Sequence, residues 1–373
     1  MCFSDQCAAA TERGEQTVAV WRYLRVMGTS GPAAKRHHYV PQFHLRGFAD
    51  GETITTVELP GDRSYTQPVR KAAAENHLYS LPGHPDGADV FEKALSQLES
   101  EVAGIFMDIA SGTWPLDEES RGSLAYYVAL QMARGPEQRR NMENLARQAA
   151  RMEIGYGGRA GVKGWAKKNL GLDVDDATAA KLWDEAMRPE GPPISFSTAA
   201  HIEQTLEIAE SLFGYISGRP WSLVRFDKRS LILSDVPVGL VRQPDEEDSW
   251  MGVGVMTAWG ITFPLTRKLG LLMNDPSLMM DNGIPVEKVR TGAFDIIQAG
   301  TTGMERIFNE HTAASASLRL FHHPNDARFV PSGLPDPSPV TMALRGTPTD
   351  YTGEPYILPK TPKPNRSDSY ADE

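Results

Sequence analysis

The stretch Lys35-Arg-His-His-Tyr-Val-Pro-Gln-Phe-His-Leu-Arg-Gly-Phe48 sets two adjacent histidines among Lys35, Arg36 and Arg46. Histidine is the side chain whose unperturbed charge changes nearest neutral pH, which suits it to general acid–base work. In an extended segment neighbouring side chains point to opposite faces, so only one of the pair readily serves a given site. His38, which shares a face with Val40, is the stronger candidate for a general base, and His37 is the second. Each also fits a hydrogen-bonded structural histidine. The flanking cations favour chemistry on an anion.

A ββα metal-nuclease site opens on a similar His-His segment and needs a later Asn and His. The first His activates water, and the last helps hold a divalent ion that stabilises charge on the scissile phosphate. Asn76 and His84 offer that later pair after two short strands, although Pro82, Gly83, Pro85 and Gly87 would break the helix that must present the final ligand. Glu99 lies beside the apolar stripe of one helix and Gln131 on the apolar face of the next. Buried Glu or Gln must be hydrogen-bonded, so with Arg134 they form either a structural network or a pocket wall. An Arg near a Glu and a His suits phosphate, which a guanidinium grips in a bidentate fork. Ser234-Asp235-x-Pro237 follows a strand, where loops carry functional residues, although the pair also reads as a simple turn. His322-His323 lacks partners at metal-ligand spacing. The chain has no nucleophile elbow, P-loop, HExxH or dinucleotide fingerprint.

The elements that must position these residues begin with an extended segment over 38–45, biased away from helix before Pro41. Residues 54–59 and 65–69 read as strands around a Pro-Gly-Asp turn. From Asp89, Phe91, Leu95, Leu98, Val102, Ile105 and Ile109 keep a 4-3-4-3-4 spacing that predicts a core helix ending at Gly112. Asp117 opens a second helix with Leu124, Val128 and Gln131 on one face. Residues 155–172, with six glycines, predict a mobile connection, followed by helices over 176–187 and 202–218. Residues 221–226 and 231–233 read as a hairpin, 260–265 and 269–273 as another, and 286–311 as one long helix. The expected fold is α+β, mostly helical, with a small N-terminal β unit and a second set of antiparallel strands. One domain is expected over 35–328, made of a β segment (35–85), a helical part (89–218), a strand-rich part (220–275) and the long helix (285–312). Residues 1–34 are expected to be a leader, with Met27 resembling a start, and 330–373 a disordered tail rich in Pro, Ser and Asp.

The net charge of −10 argues against a general nucleic-acid coat but leaves room for a local basic site. Nine Lys or Arg face three Glu between Arg134 and Lys168, a run that fits a solvated helix face or an anionic partner. Cys2 and Cys7 both lie near the N-terminus, which gives no disulfide framework or Cys-rich zinc site and makes a cytoplasmic location the default. The apolar stretch over 18–27 is too short and interrupted to span a membrane.

The first motif, followed by Ala73-Ala-Glu-Asn-His-Leu-Tyr79, Phe91-Glu-Lys-Ala-Leu-Ser-Gln-Leu-Glu99, Ala129-Leu-Gln-Met-Ala-Arg-Gly-Pro136 and Leu231-Ile-Leu-Ser-Asp-Val-Pro-Val238, resembles domain of unknown function 4238 in order and spacing over residues 34–325. The resemblance implies a bacterial, mostly helical mixed α/β protein without an established activity. It implies recurring polar positions at His37, His38, Gln42, Arg46, Glu75, Glu99, Gln131, Arg134, Ser234 and Asp235. The chain departs from the pattern at His44, where Tyr is common, and in Glu75-Asn-His-Leu-Tyr, where Glu-Lys-Asp-Phe-Tyr is typical. The combined expectation is a metal-assisted nuclease or phosphoesterase acting on nucleic acid or a small phosphorylated ligand. His38 and His37 are its candidate bases, and Asp235 and Glu99 its metal ligands or orienters. Arg134 anchors phosphate, and Gln131, Arg46, Gln42 and Ser234 line the site. The alternative is a non-catalytic binding sensor in a stress or defence setting.

Overall fold

The computed structural model describes residues 36–81, 87–243, 252–338 and 351–355. In chain order the elements are β1 (Arg36–His38), α1 (Gln42–Arg46), β2 (Thr53–Glu58), β3 (Arg63–Pro68), a 3-10 turn (Val69–Lys71), β4 (Ala74–Asn76), α2 (Val90–Ser111), α3 (Glu118–Ala133), α4 (Pro136–Leu170), α5 (Asp176–Ala186) and α6 (Thr198–Ser217). There follow β5 (Trp221–Arg225), β6 (Leu233–Ser234), β7 (Gly239–Val241), β8 (Gly260–Thr266), β9 (Leu269–Asn274), α7 (Ser277–Asp281), α8 (Val286–Arg290), β10 (Ile296–Ala299), α9 (Thr302–Ser315), β11 (Arg319–His322) and a 3-10 turn (Pro324–Phe329). The fold is α+β. The chain divides into two compact units, residues 1–139 with 196–339, and residues 140–195 with 340–373, both reaching into the stretch expected to be one domain. No helix among the described residues is long and apolar enough to cross a membrane.

In the larger unit, the apolar stripe of α2 is buried at each position from Phe91 to Ile109, and Gly112 ends the helix with a left-handed φ of 115° that a residue without Cβ adopts freely. Asp117 caps α3 by accepting from the Ser120 N–H at 2.8 Å. These helices and α6 share a core with a five-stranded sheet of order β10-β5-β9-β8-β7. A four-stranded sheet runs β3-β2-β11-β6, and β1 pairs with β4 alone.

Four local expectations give way to tertiary context. The extended segment stops at His38, and Gln42–Arg46 turns into helix α1 once Pro41 is past. Trp221–Arg225 and Leu233–Ser234 form no hairpin: β5 is sandwiched between β9 and β10, while β6 joins β11 in the other sheet. The expected long helix is broken at Gly292 (φ 77°), and Ile296–Ala299 runs parallel to β5 before Thr301 caps α9. In the smaller unit the glycine-rich stretch is helical within α4 and kinks at Gly158, whose φ is 64°. The kink frees the Arg159 N–H, which donates to the Gly353 carbonyl at 2.8 Å. Within the expected tail, Tyr351 lies edge-on to Tyr156, with ring centroids 6.0 Å apart. Residues 1–35, including Met27, and the rest of the tail after Ser338 lie outside the described residues.

The fully buried Arg121 and Asp295 tie the larger unit together. Arg121 Nε donates to Asp295 Oδ2 at 2.7 Å, and its other nitrogens reach the Ser217 and Arg219 carbonyls at 2.7 Å each. The guanidinium also lies 3.9 Å above the Trp221 ring, and Asp295 Oδ1 accepts from Trp221 N at 2.9 Å. Asp295→Ala strands a buried cation, so it should destabilise the fold by about 3–5 kcal/mol. Urea denaturation monitored by circular dichroism checks this.

Candidate functional site

β1 pairs antiparallel with β4 in the register Arg36↔Asn76, His37↔Glu75 and His38↔Ala74. Alternation sends His37 inward, where Nδ1 accepts from the Tyr79 N–H at 2.8 Å and the ring stacks on Tyr79 at 5.7 Å. His37 is therefore engaged as a latch between β1 and the chain after β4, a position that leaves Nδ1 unable to act as a base. His38 faces the other way and is half-buried. Its ring bonds the Arg70 backbone, while Nε2 has no partner among the described residues. Burial, then the charges of Arg36, Arg134 and Arg46, lower its pKa to about 4, against the opposing pull of the Arg70 bond. At neutral pH the imidazole is uncharged and Nε2 carries a lone pair.

Arg134 is 1 % exposed at the C-terminus of α3. Its Nη1 donates to Glu99 Oε1 at 2.8 Å and its Nη2 to the His38 carbonyl, while its own carbonyl accepts from the Tyr79 hydroxyl at 2.7 Å. Gln131, with its amide turned to satisfy both neighbours, donates to the Tyr39 carbonyl at 3.2 Å and accepts from Arg134 Nη1 at 3.3 Å. Arg134, expected to anchor phosphate, is sequestered, its guanidinium shared among a carboxylate, an amide and a carbonyl. Glu99 and Gln131 belong to the same internal network. Sequence reasoning passed over Glu92, seven residues before Glu99 on the same face of α2. Burial, with help from Glu99 and Asp89 and against Arg134, pushes the Glu92 carboxyl up to about 7, and Oε2 is unpartnered among the described residues. The signal was its heptad spacing from Glu99.

Asp235 is 5 % exposed and works as a clamp. Oδ1 accepts from Ser317 N at 2.8 Å, and Oδ2 from Leu318 N at 2.8 Å and Arg319 N at 3.0 Å. Ser234 Oγ donates to the Val236 carbonyl at 2.6 Å, so this pair is the turn that the sequence also allowed. A divalent metal does not fit the residues expected to hold it: Asp235 is filled by three backbone N–H groups, Glu99 by Arg134 and His37 by Tyr79. Among the described residues no three His, Cys, Asp or Glu side chains cluster as a metal site, and His84 lies outside them. Asp235 still acts on the Tyr39 hydroxyl, which Arg319 hydrogen-bonds and whose pKa is raised by burial first and Asp235 second. The remote motifs thus meet on either side of β1.

The outward charges form a rim. Arg36 is exposed, with Nη2 donating to the Lys71 carbonyl at 2.8 Å. Arg46 pairs with Glu52 at 3.0 Å and reaches Gln42 Oε1 at 3.3 Å. Arg70 and Lys71 are exposed on the 3-10 turn whose Arg70 backbone bonds His38. His44 is fully buried: Nε2 donates to the Pro264 carbonyl at 2.7 Å, which leaves Nδ1 to accept from the Tyr127 hydroxyl at 3.2 Å.

The family model described as "Protein of unknown function (DUF4238)" matches residues 36–326, more than half of the chain. The chain belongs to DUF4238. No curated protein and no solved structure matches it. The DUF4238 match runs from β1 into the second 3-10 turn and so contains the Arg134 network, the Asp235 clamp and the basic rim.

Glu92 binds its proton more tightly folded than unfolded, since its pKa rises from 4.5 to about 7. Its contribution is fully present below pH 4.5 and is lost as pH rises through 7. Glu92→Gln should therefore remove a pH-dependent loss of up to about 3 kcal/mol, leaving the variant more stable than wild type above pH 7. Melting temperatures measured from pH 5 to 8 check this.

Proposed function

We propose that this DUF4238 domain binds a phosphorylated ligand, a nucleotide or a nucleic-acid backbone, at the rim formed by Arg36, Arg46, Arg70 and Lys71. The observation that carries the reading is the unpartnered Nε2 of His38 beside those charges. Exposed Arg and Lys side chains supply the charge-assisted hydrogen bonds that phosphate oxygens accept, and Gln42 adds an amide donor. A bound anion offsets the cations that, after burial, depress the His38 pKa, so binding raises that pKa and favours a proton on Nε2, which converts it from acceptor to donor. A recognition role, as in a sensor, needs nothing more. A cytoplasmic location, where such ligands are abundant, belongs to the same reading.

A second reading, phosphodiester cleavage, is favoured by the imidazole itself. It is neutral, its other nitrogen is fixed by the Arg70 backbone, and its free lone pair suits proton abstraction from water or a ligand hydroxyl. A base with a pKa near 4 is weak, which makes recognition the leading reading.

Titration calorimetry with AMP and with a short single-stranded oligonucleotide, in two buffers of different ionisation enthalpy, tests the proposal. Arg36→Ala and Arg46→Ala should each weaken binding roughly tenfold, about 1.4 kcal/mol, and His38→Ala should abolish proton uptake. Binding insensitive to both arginines would overturn it. Incubation of plasmid, single-stranded DNA and RNA with Mg, Mn or Zn separates the readings: cleavage lost in His38→Ala supports the second.

A further inference from the structure

Asn309, on α9, is 1 % exposed and fastens three separate stretches of chain. Its Oδ1 accepts from Ile232 N at 3.0 Å, and its Nδ2 protons are shared among the Ser230 carbonyl at 3.1 Å, the Phe329 carbonyl at 3.1 Å and Glu305 Oε1 at 2.6 Å. Each stretch so joined carries an arginine: Arg229 precedes Ser230, Arg306 stands on α9, and Arg328 lies in the second 3-10 turn beside Phe329. Lys268 adds a further tie, its Nζ donating to the Arg229 carbonyl at 2.6 Å. The backbones that carry the three arginines are thereby set in place without a ligand, which lowers the ordering cost of binding one.

All three arginines line one cleft of about 560 Å³ between a face of α9 and the chain that follows Phe329. Their guanidiniums lie beside other residues of its walls. Arg229 Nη1 is 3.5 Å from Glu305 Oε2, Arg306 Nε is 4.0 Å from Glu310 Oε1, and the Arg328 guanidinium carbon lies 4.8 Å from the Phe329 ring centroid. None of these contacts is a short hydrogen bond, and Arg328 has neither a hydrogen-bond nor an ion-pair partner among the described residues. The Arg306 and Arg229 side chains are 70 % and 41 % exposed, and Arg328 is exposed as well. Most of the five N–H donors of each guanidinium are therefore open to a ligand. Two carboxylates share the walls. Glu305 is already engaged by Asn309, and Glu310, exposed and 4.0 Å away, is a weak rival for Arg306.

We infer that this cleft is a second anion site, for a diphosphate, either free or as the pyrophosphate group of a nucleotide. A guanidinium grips two phosphoryl oxygens at once, and three such forks from three stretches of chain match an anion whose oxygens point several ways. One carboxylate would fill a single fork. A cleft of this size admits a nucleotide as well as the free anion. None of these residues belongs to the rim around His38, so the site stands or falls apart from that reading.

Calorimetric titration of the full-length protein with pyrophosphate, orthophosphate, citrate and ADP, in metal-free buffer, tests this. Pyrophosphate should bind at least about tenfold more tightly than orthophosphate or citrate. Arg306→Ala and Arg328→Ala, at exposed positions, should each weaken pyrophosphate about tenfold while leaving the melting temperature within a few degrees. Glu310→Gln, which removes the rival carboxylate, should tighten it about twofold. The double variant Arg36→Ala with Arg46→Ala should still fill this site, which separates it from the His38 rim. ADP bound as tightly as pyrophosphate assigns the site to a nucleotide, and weaker binding of ADP assigns it to the free diphosphate. No binding of pyrophosphate, binding unchanged by both Arg306→Ala and Arg328→Ala, or equal binding of orthophosphate or citrate would each overturn the inference.

Discussion

One buried cation organises the candidate site. Taking the Arg134 guanidinium out of water costs several kcal/mol unless charge and hydrogen bonds replace the solvent, and each replacement comes from a different part of the chain. Glu99 comes from α2, the His38 carbonyl from β1 and Gln131 from its own helix, while the Tyr79 ring centroid lies 5.8 Å from the guanidinium carbon. Satisfying Arg134 therefore fixes where β1 lies on the helices. Because β1 is pinned through a backbone carbonyl, the His38 ring is not spent on Arg134 and bonds the Arg70 backbone instead. Glu92 stands near the same cation without a bond to it, and burial raises its pKa against that cation's pull.

His38 and His44 show how burial alone fails to distinguish structure from function. Both are held neutral, with desolvation as the first cause and a pKa lowered to about 4. Both nitrogens of His44 are matched, one to a carbonyl and one to a tyrosine hydroxyl, inside a cage that includes Phe43, Phe106 and Phe263. One nitrogen of His38 is unmatched, beside cations of the protein. An unmet lone pair among charges is a standing capacity to bind, whereas a completed one is packing.

Much of the secondary structure was legible because its causes are local. The stripe from Phe91 to Ile109, the capping aspartate at 117 and the turn between β2 and β3 each act over a few residues, and the helices and strands form where those signals lie. The hairpin of β8 and β9 is legible for the same reason. Local signals failed where the environment was two-sided. β5 is buried at its first four positions and shows no alternation to reveal its partners, and Ile296–Ala299 becomes a strand because β5 offers it an edge. The glycines of α4 stay helical because packing in the smaller unit outweighs their propensity, except at Gly158.

By itself the sequence determined the family, the α+β class and the set of polar residues that surround β1, since motif order and residue type are properties of the chain. Only the tertiary structure decided which of those residues face outward. Arg134, Glu99 and Asp235 have the composition of a phosphate and metal site, yet each is consumed by a partner remote in sequence. Arg36, Arg46, Arg70 and Lys71 remain at the surface around His38. Hydrogen-bond satisfaction depends on neighbours in space, and the same side chain is a structural clamp or a ligand group according to whether the fold has already filled its donors and acceptors.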